Sequence, residues 1–220
     1  REHPAGRGPA VLVRESLPPA VDADTRRRLP VELREEAARH PESAKVRWKL
    51  GTALLNVGFL SQGERELEKA VELDPGMAKA WVNLGGARLS KWDFEGCIEA
   101  NRRALKCDPD LVQAHFNLGL GYLYTKQVDE MVRCFERVVM LAPEMGAGHY
   151  HLAVGLHALG RVEEAREVLG EAIMRGYSPD PEFIRELEKS DGASSPALVM
   201  EFGGDESDSD EGGESQSSKG

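Results

Sequence analysis

The sequence predicts an all-α fold, an α-solenoid of stacked helical hairpins, and three observations carry that prediction. Pro41, Pro75, Pro109 and Pro143 recur at a constant spacing of 34 residues, a period that fits one helix-turn-helix unit per repeat. Between these prolines the apolar residues keep helical spacing in two stretches per unit, each about 13 residues long, with a short turn between. In "ELDPGMAKAWVNLGGA", residues 72–87, an Asp-Pro-Gly stop is followed almost at once by a new helical run. Proline lacks the backbone donor and clashes with the preceding turn, so the break closes one unit and the restart opens the next.

Taken in order, residues 1–29 contain Pro4, Pro9, Pro18 and Pro19 without a sustained helical period, and they predict an extended or disordered arm. Pro30 suits the first turn of a helix, and Leu33 and Ala37 share a face. Residues 30–41 therefore predict a capping helix, the second half of a degenerate leading repeat. Four fuller units begin near Ala44, Ala78, Val112 and Gly146 and fill residues 42–177. Gly58 and Gly160 occupy one turn position, and Trp92 and Lys126 occupy the same position in the middle units. From those residue types the turn is expected not to demand positive φ every time. Residues 178–190 predict a closing helix around Pro181 to Lys189. The run "GGDESDSDEGGESQSSKG" cannot offset its ordering entropy, so residues 191–220 predict a disordered acidic tail.

Residues 44–177 resemble four tetratricopeptide repeats, whose signature runs W-x-x-L-G-x-x-Y, then alanine and aromatic positions, then proline. The first-helix element appears as Leu50-Gly51, Trp81-x-x-Leu84-Gly85, Leu118-Gly119-x-x-Tyr122 and Leu152-Ala153. The second-helix positions are Gly63, Leu67 and Ala70, then Cys97, Asn101 and Ala104, then Met131, Phe135 and Val138, then Ala165, Leu169 and Ala172. Asn101 departs from a large apolar residue, Ala153 from glycine, and Tyr177 from proline. A small residue on the first helix (A) lets the second (B) approach closely while Leu and aromatic neighbours fill the gaps. One hairpin cannot bury its apolar face alone, so the units stack. The resemblance implies a right-handed superhelix with the A helices on its concave wall.

Mapped onto this chain, that wall comprises Lys45, Trp48, Lys49, Thr52 and Asn56, then Lys79, Val82, Asn83, Gly86 and Ser90. It continues with Gln113, Phe116, Asn117, Leu120 and Tyr124, then Tyr150, His151, Val154 and His157. All four A helices lack Asp and Glu while the B helices are rich in Glu, which predicts a neutral-to-basic wall on an acidic protein. Asn83 and Asn117 share one place in successive repeats. Peptide-binding family members such as the O-GlcNAc transferase superhelix carry an asparagine ladder there, whose amides both donate to and accept from an extended backbone. Trp48, Phe116, Tyr124 and Tyr150 are candidate anchors, because aromatics supply much of the energy at small interfaces; the competing role for each is core or cap. The two-carboxylate clamp of heat-shock co-chaperones would fall on Trp48, Thr52, Asn83, Gln113 and Asn117. Asn83 alone matches, which disfavours a chaperone-tail reader.

Charge and composition exclude other classes. The formal charge is −10, opposite to the basic excess of a nonspecific nucleic-acid binder. It is uneven: +2 over residues 1–30, −6 over 31–200 and −6 over 201–220. The acidic tail, with a reach of about 30 Å, can meet the wall of its own molecule, and phosphorylation of Ser207 or Ser209 would strengthen that attraction. No apolar run approaches the ~18 residues that cross a bilayer. Cys97, Cys107 and Cys134 are odd in number and lack C-x-x-C spacing, which points to a reducing, cytoplasmic setting rather than disulfides or zinc. The chain opens at Arg1 rather than Met, as a processed or longer protein would. His115, His149, His151 and His157 fall on different helix faces without H-E-x-x-H spacing, so no metal or other cofactor is expected. No phosphate loop, nucleophile elbow or carboxylate pair is visible. The expected function is a non-enzymatic adaptor binding an extended polar or acidic segment of a protein partner. The alternative is an assembly subunit acting through self-association or its convex surface.

Overall fold

The computed structural model describes residues 23–190. The expectations for the arm before residue 23 and for the tail of residues 191–220 lie outside the described residues. Among those described, ten helices follow one another: α1 (Ala23–Arg39), α2 (Ala44–Asn56), α3 (Leu60–Leu73), α4 (Ala78–Ser90), α5 (Phe94–Cys107), α6 (Val112–Tyr124), α7 (Val128–Leu141), α8 (Gly146–Ala158), α9 (Val162–Met174) and α10 (Pro181–Lys189). The leading helix differs from expectation at its start. It begins at Ala23 and carries Pro30 inside it rather than in its first turn. The proline is buried, and the helical register runs through it into Ala37, which packs with Val46, Leu50 and Leu54 of α2.

Each A helix packs on its own B helix and each B helix on the next A helix, while α2 also meets α4 and α4 meets α6. No two B helices pack to that degree. The A helices therefore form the inner layer of a curved stack, as solenoid units do when each touches only its neighbours. A cross-section shows why the hairpins close: a Cβ built on Gly119 would lie 2.8 Å from the Phe135 ring, so the missing side chain on α6 is the space the fully buried Phe135 of α7 fills. One apolar cluster runs from Leu89 to Leu187 across the later units, and another joins α2 through α5 around Leu67 and Leu84.

The turns between A and B helices correct the sequence expectation. Gly58 and Gly160 have φ of 89° and 74°, and Trp92 and Lys126 have φ of 63° and 60°, so the left-handed conformation is required in all four units. The hydrogen bonds give the reason. Gly58 N–H donates to Leu55 O and Phe59 N–H to Leu54 O, and the same two bonds recur as Trp92 to Leu89 with Asp93 to Arg88, Lys126 to Leu123 with Gln127 to Tyr122, and Gly160 to His157 with Arg161 to Leu156. This is the Schellman motif, which satisfies the last helical carbonyls only if the residue after the cap turns left-handed. A fifth copy, Gly176 to Ile173 with Tyr177 to Ala172, ends α9. It takes over where proline is missing at Tyr177.

The B-to-A junctions use different chemistry. Asp74 Oδ1 accepts from Gly76 N–H at 3.0 Å and Asp108 Oδ1 from Asp110 N–H at 3.2 Å, Asx turns that hold the chain beside each proline. The proline carbonyls are then claimed by side chains. Arg47 donates to Pro41 O at 3.1 Å, Trp81 to Pro75 O at 2.9 Å and His115 to Pro109 O at 2.8 Å. All three donors stand at the same place in their repeats. In the fourth unit Arg175 reaches Pro143 O instead, while His149 turns to Met145 O.

The candidate interaction groove

The inner layer presents no carboxylate: none of α2, α4, α6 or α8 contains Asp or Glu. Lys45, Lys49 and Lys79 are exposed on the first two of these helices and make no ion pair among the described residues. Other cations nearby are spent. Arg47 pairs with Glu66 at 2.8 Å, and Arg88 is held by Glu64 at 3.3 Å and Glu68 at 3.1 Å. The exposed lysines of the wall thus stand on the first two units.

Between α2 and α4 the wall carries a short polar chain. Thr52 Oγ1 donates to Trp48 O at 2.8 Å and accepts from the Asn83 amide at 2.7 Å, so one Asn83 N–H is engaged within the protein. Asn117 is buried at 6 % exposure, and its backbone carbonyl receives the Cys97 thiol at 3.4 Å. Trp48 Nε1, Asn56 Nδ2 and His151 Nδ1 are sealed from solvent with no partner. All three stand at inner-wall positions, and an unmade hydrogen bond in such a place is costly.

The aromatic residues divide. Phe116, read as an anchor, is buried with its ring edge-on to Phe135 at 5.5 Å and to His151 at 5.6 Å. Tyr150, also read as an anchor, is buried beneath Tyr177, stacked at 4.8 Å, and Phe183, edge-on at 5.7 Å. Burial pushes its hydroxyl up to about 12. The closing helix α10 covers Tyr150, which repeat position alone does not announce. His151 stacks on Phe135 at 5.0 Å, and burial drives its imidazole down to about 4, so it is neutral near pH 7. Tyr124 and Trp48 are partly exposed. Tyr124 stacks on Phe94 at 4.6 Å and meets Trp92 edge-on at 5.9 Å, and Trp92, 44 % exposed, was not among the sequence candidates. It sits in the left-handed turn at φ 63°, and the residue type alone gives no sign of that exposure.

Among the described residues no cluster of His, Cys, Asp or Glu could hold a metal ion, and no helix is long and apolar enough to cross a membrane. Exposed on this wall are Lys45, Lys49 and Lys79, with Trp48 and Tyr124 partly exposed.

Repeated helical hairpins with small residues at the helix contacts and a carboxylate-free inner layer define an α-solenoid interaction module. The tetratricopeptide repeat family model matches residues 49–112 and 116–181, and the chain belongs to that family, a protein-interaction fold. Among solved structures, a crystal structure of MamA is similar at 20 % identity and a TM-score of 0.64, covering 71 % of this chain and 96 % of that one. MamA from Desulfovibrio magneticus RS-1 aligns at 20 % identity and a TM-score of 0.60, covering 77 % of this chain and 89 % of that one. At such identities the likeness shows the fold. No curated protein matches the chain.

Proposed function

We propose that the chain is a non-enzymatic adaptor that binds an extended, polar or acidic segment of a partner protein along the wall of A helices. The observation that supports this reading is the inner layer itself: Lys45, Lys49 and Lys79 stand exposed, with no ion pair among the described residues, on helices without carboxylates, although the whole chain carries a charge of −10. Asn83 supplies a second amide N–H and its carbonyl for clamping main chain beside the lysines.

The test is a peptide library selected on the full chain, with the best binders measured again on the Lys45→Glu, Lys49→Glu, Lys79→Glu variant. None of the three lysines makes an ion pair among the described residues, so the fold of those residues is expected to survive charge reversal. Acidic peptides should dominate the selection and lose at least about tenfold in affinity at low salt, an effect weakened above the ionic strength that screens exposed charges. Binders indifferent to the three reversals would end the groove reading.

A second reading rests on the outer layer. Met140, Ile173 and Met174 are exposed at 66, 50 and 73 % near the ends of α7 and α9, an apolar face fitting self-association in an assembly subunit. Light scattering in which mass rises with concentration, and falls back in Met140→Lys with Met174→Lys, would favour it over the groove.

A further inference from the structure

We infer that the stack parts inside its second hairpin, between α4 and α5, so that α1–α4 open as one block while α5–α10 stay closed. The boundary of cooperativity then falls within a repeat rather than between two, and it does not depend on what the groove binds. The first observation is a polar residue where the other units are apolar. Leu67, Phe135 and Leu169 share one place in their B helices, each buried in an apolar cluster, and the second unit puts Asn101 there. Asn101 is fully buried. Its amide nitrogen donates to Cys97 O at 2.8 Å within its own helix, while its Oδ1 has no partner. A Cβ built on Gly85 would lie 2.1 Å from that nitrogen, so the half-satisfied amide sits in the α4–α5 contact itself. A buried acceptor without a donor carries its full desolvation cost, and parting α4 from α5 returns it to water.

The second observation is where the core divides. Among the described residues, the apolar cluster around Leu67 and Leu84 takes Ala100 alone from α5, and the cluster running to Leu187 takes Leu89 alone from α4, beside the turn. What crosses the line is small. Val82 meets Ala104 and Ala114, and Arg103 lies 5.1 Å from the Trp81 ring.

The third is the direction of the polar ties. Helix α4 holds backward: Asn83 donates to Thr52 of α2 at 2.7 Å, and Arg88 to Glu64 and Glu68 of α3 at 3.3 and 3.1 Å. Helix α5 holds forward: Arg102 donates to the Tyr122 hydroxyl of α6 at 2.7 and 3.2 Å, and the Cys97 thiol to Asn117 O at 3.4 Å. Across the line Arg88 reaches Gly96 O at 3.5 Å and Asp93 at 3.9 Å, longer than its contacts to α3. Lys45, Lys49 and Lys79 stand on α2 and α4, so the exposed lysines of the wall all belong to the block that opens.

Hydrogen exchange of the full chain in low urea, read by mass spectrometry, tests this. Helices α2, α3 and α4 are expected to exchange through one shared opening with a common urea dependence, at least about tenfold faster than α5 through α7. The opening is a rare excursion, read by amide exchange over hours and too infrequent for rapid labelling of Cys97. Asn101→Leu copies the first unit, where Leu67 fills the space left by Gly51, so the variant is expected to fold. It should slow exchange in α2–α4 at least about fivefold and leave α8 unchanged. The native chain by itself decides the boundary: α4 and α5 exchanging together as a hairpin, or protection graded smoothly inward from both ends, would overturn the proposal. Unaltered exchange of α2–α4 in Asn101→Leu would overturn it as well.

Discussion

At the scale of single residues, burial decides which titratable groups respond to solvent. His151 is held neutral against Phe135, with a folded value of about 4 against about 6.5 for an ordinary imidazole. Above pH 6.5 neither the folded nor the unfolded chain protonates it, and it has no effect on stability. As pH falls from 6.5 toward 4 the unfolded chain binds the proton first, so stability drops through that window and levels off below it. The ceiling is about 3 kcal/mol, with roughly 1–2 kcal/mol lost by pH 5. Urea titrations at pH 7.5 and pH 5 should show this loss in the native sequence and a smaller one in His151→Phe. An equal loss in both would place the titration elsewhere. The thiols follow the same logic in the other direction. Burial pushes Cys97 and Cys134 up to about 12, while Cys107 is exposed. Native-state alkylation at pH 8 should modify Cys107, with the other two reacting only after denaturant is added, because the thiolate is the reactive form. Rapid labelling of Cys97 would mean that the helix pair α4–α5 opens readily.

At the scale of elements, two kinds of joint hold the hairpins, and each makes a prediction. Trp81 donates to Pro75 O and lies under Arg103, 5.1 Å from its ring. Trp81→Phe keeps an aromatic ring and removes the donor, so it should cost about 1 kcal/mol from the hydrogen bond with a few tenths more from the weaker cation–π contact. An unchanged denaturation midpoint would show that water replaces the indole. At the other joint Lys126 is exposed and sits left-handed at φ 60°, a conformation costing roughly 1–2 kcal/mol for a residue with a Cβ. Lys126→Gly removes that strain and gives back part in unfolded-chain entropy, so a net gain of about 0.5–1 kcal/mol is expected in the same assay. These joints also mark how far the sequence was legible. Proline spacing and helical periodicity locate the hairpins, because Asp-Pro must stop a helix whatever surrounds it. Positive φ at Trp92 and Lys126 is not legible, since a Schellman turn demands a geometry that these side chains do not advertise. The side-chain donors to the proline carbonyls escape for a similar reason: Arg, Trp and His at one repeat position look unrelated until the shared acceptor is seen. In the groove, the lack of carboxylates is read directly from composition. The fates of Phe116 and Tyr150 depend on His151 and on α10, contacts across units that a single repeat's pattern cannot contain.

At the scale of the whole molecule, a stack in which each unit touches its neighbours should lose stability piecewise rather than all at once. The C-terminal end is where this is most exposed to test. The closing helix α10 is short, starting with Asp180 accepting from Glu182 N–H at 2.8 Å. Phe183 and Leu187 are its buried residues. Phe183 meets Tyr150 at 5.7 Å and His157 at 5.6 Å, so this one ring covers two residues of the fourth unit's inner helix. Phe183→Ala would remove about 3–5 kcal/mol of packing if the whole protein had to answer for it. A quasi-linear array answers locally instead: α10 detaches, and α8 and α9 open more often because their outer neighbour is gone. Hydrogen exchange followed by mass spectrometry should therefore show faster exchange across residues 146–189, while α2 through α5 keep their protection. Protection falling equally in every helix would show that the units are cooperative from end to end, and the end cap would then be a keystone for the entire stack.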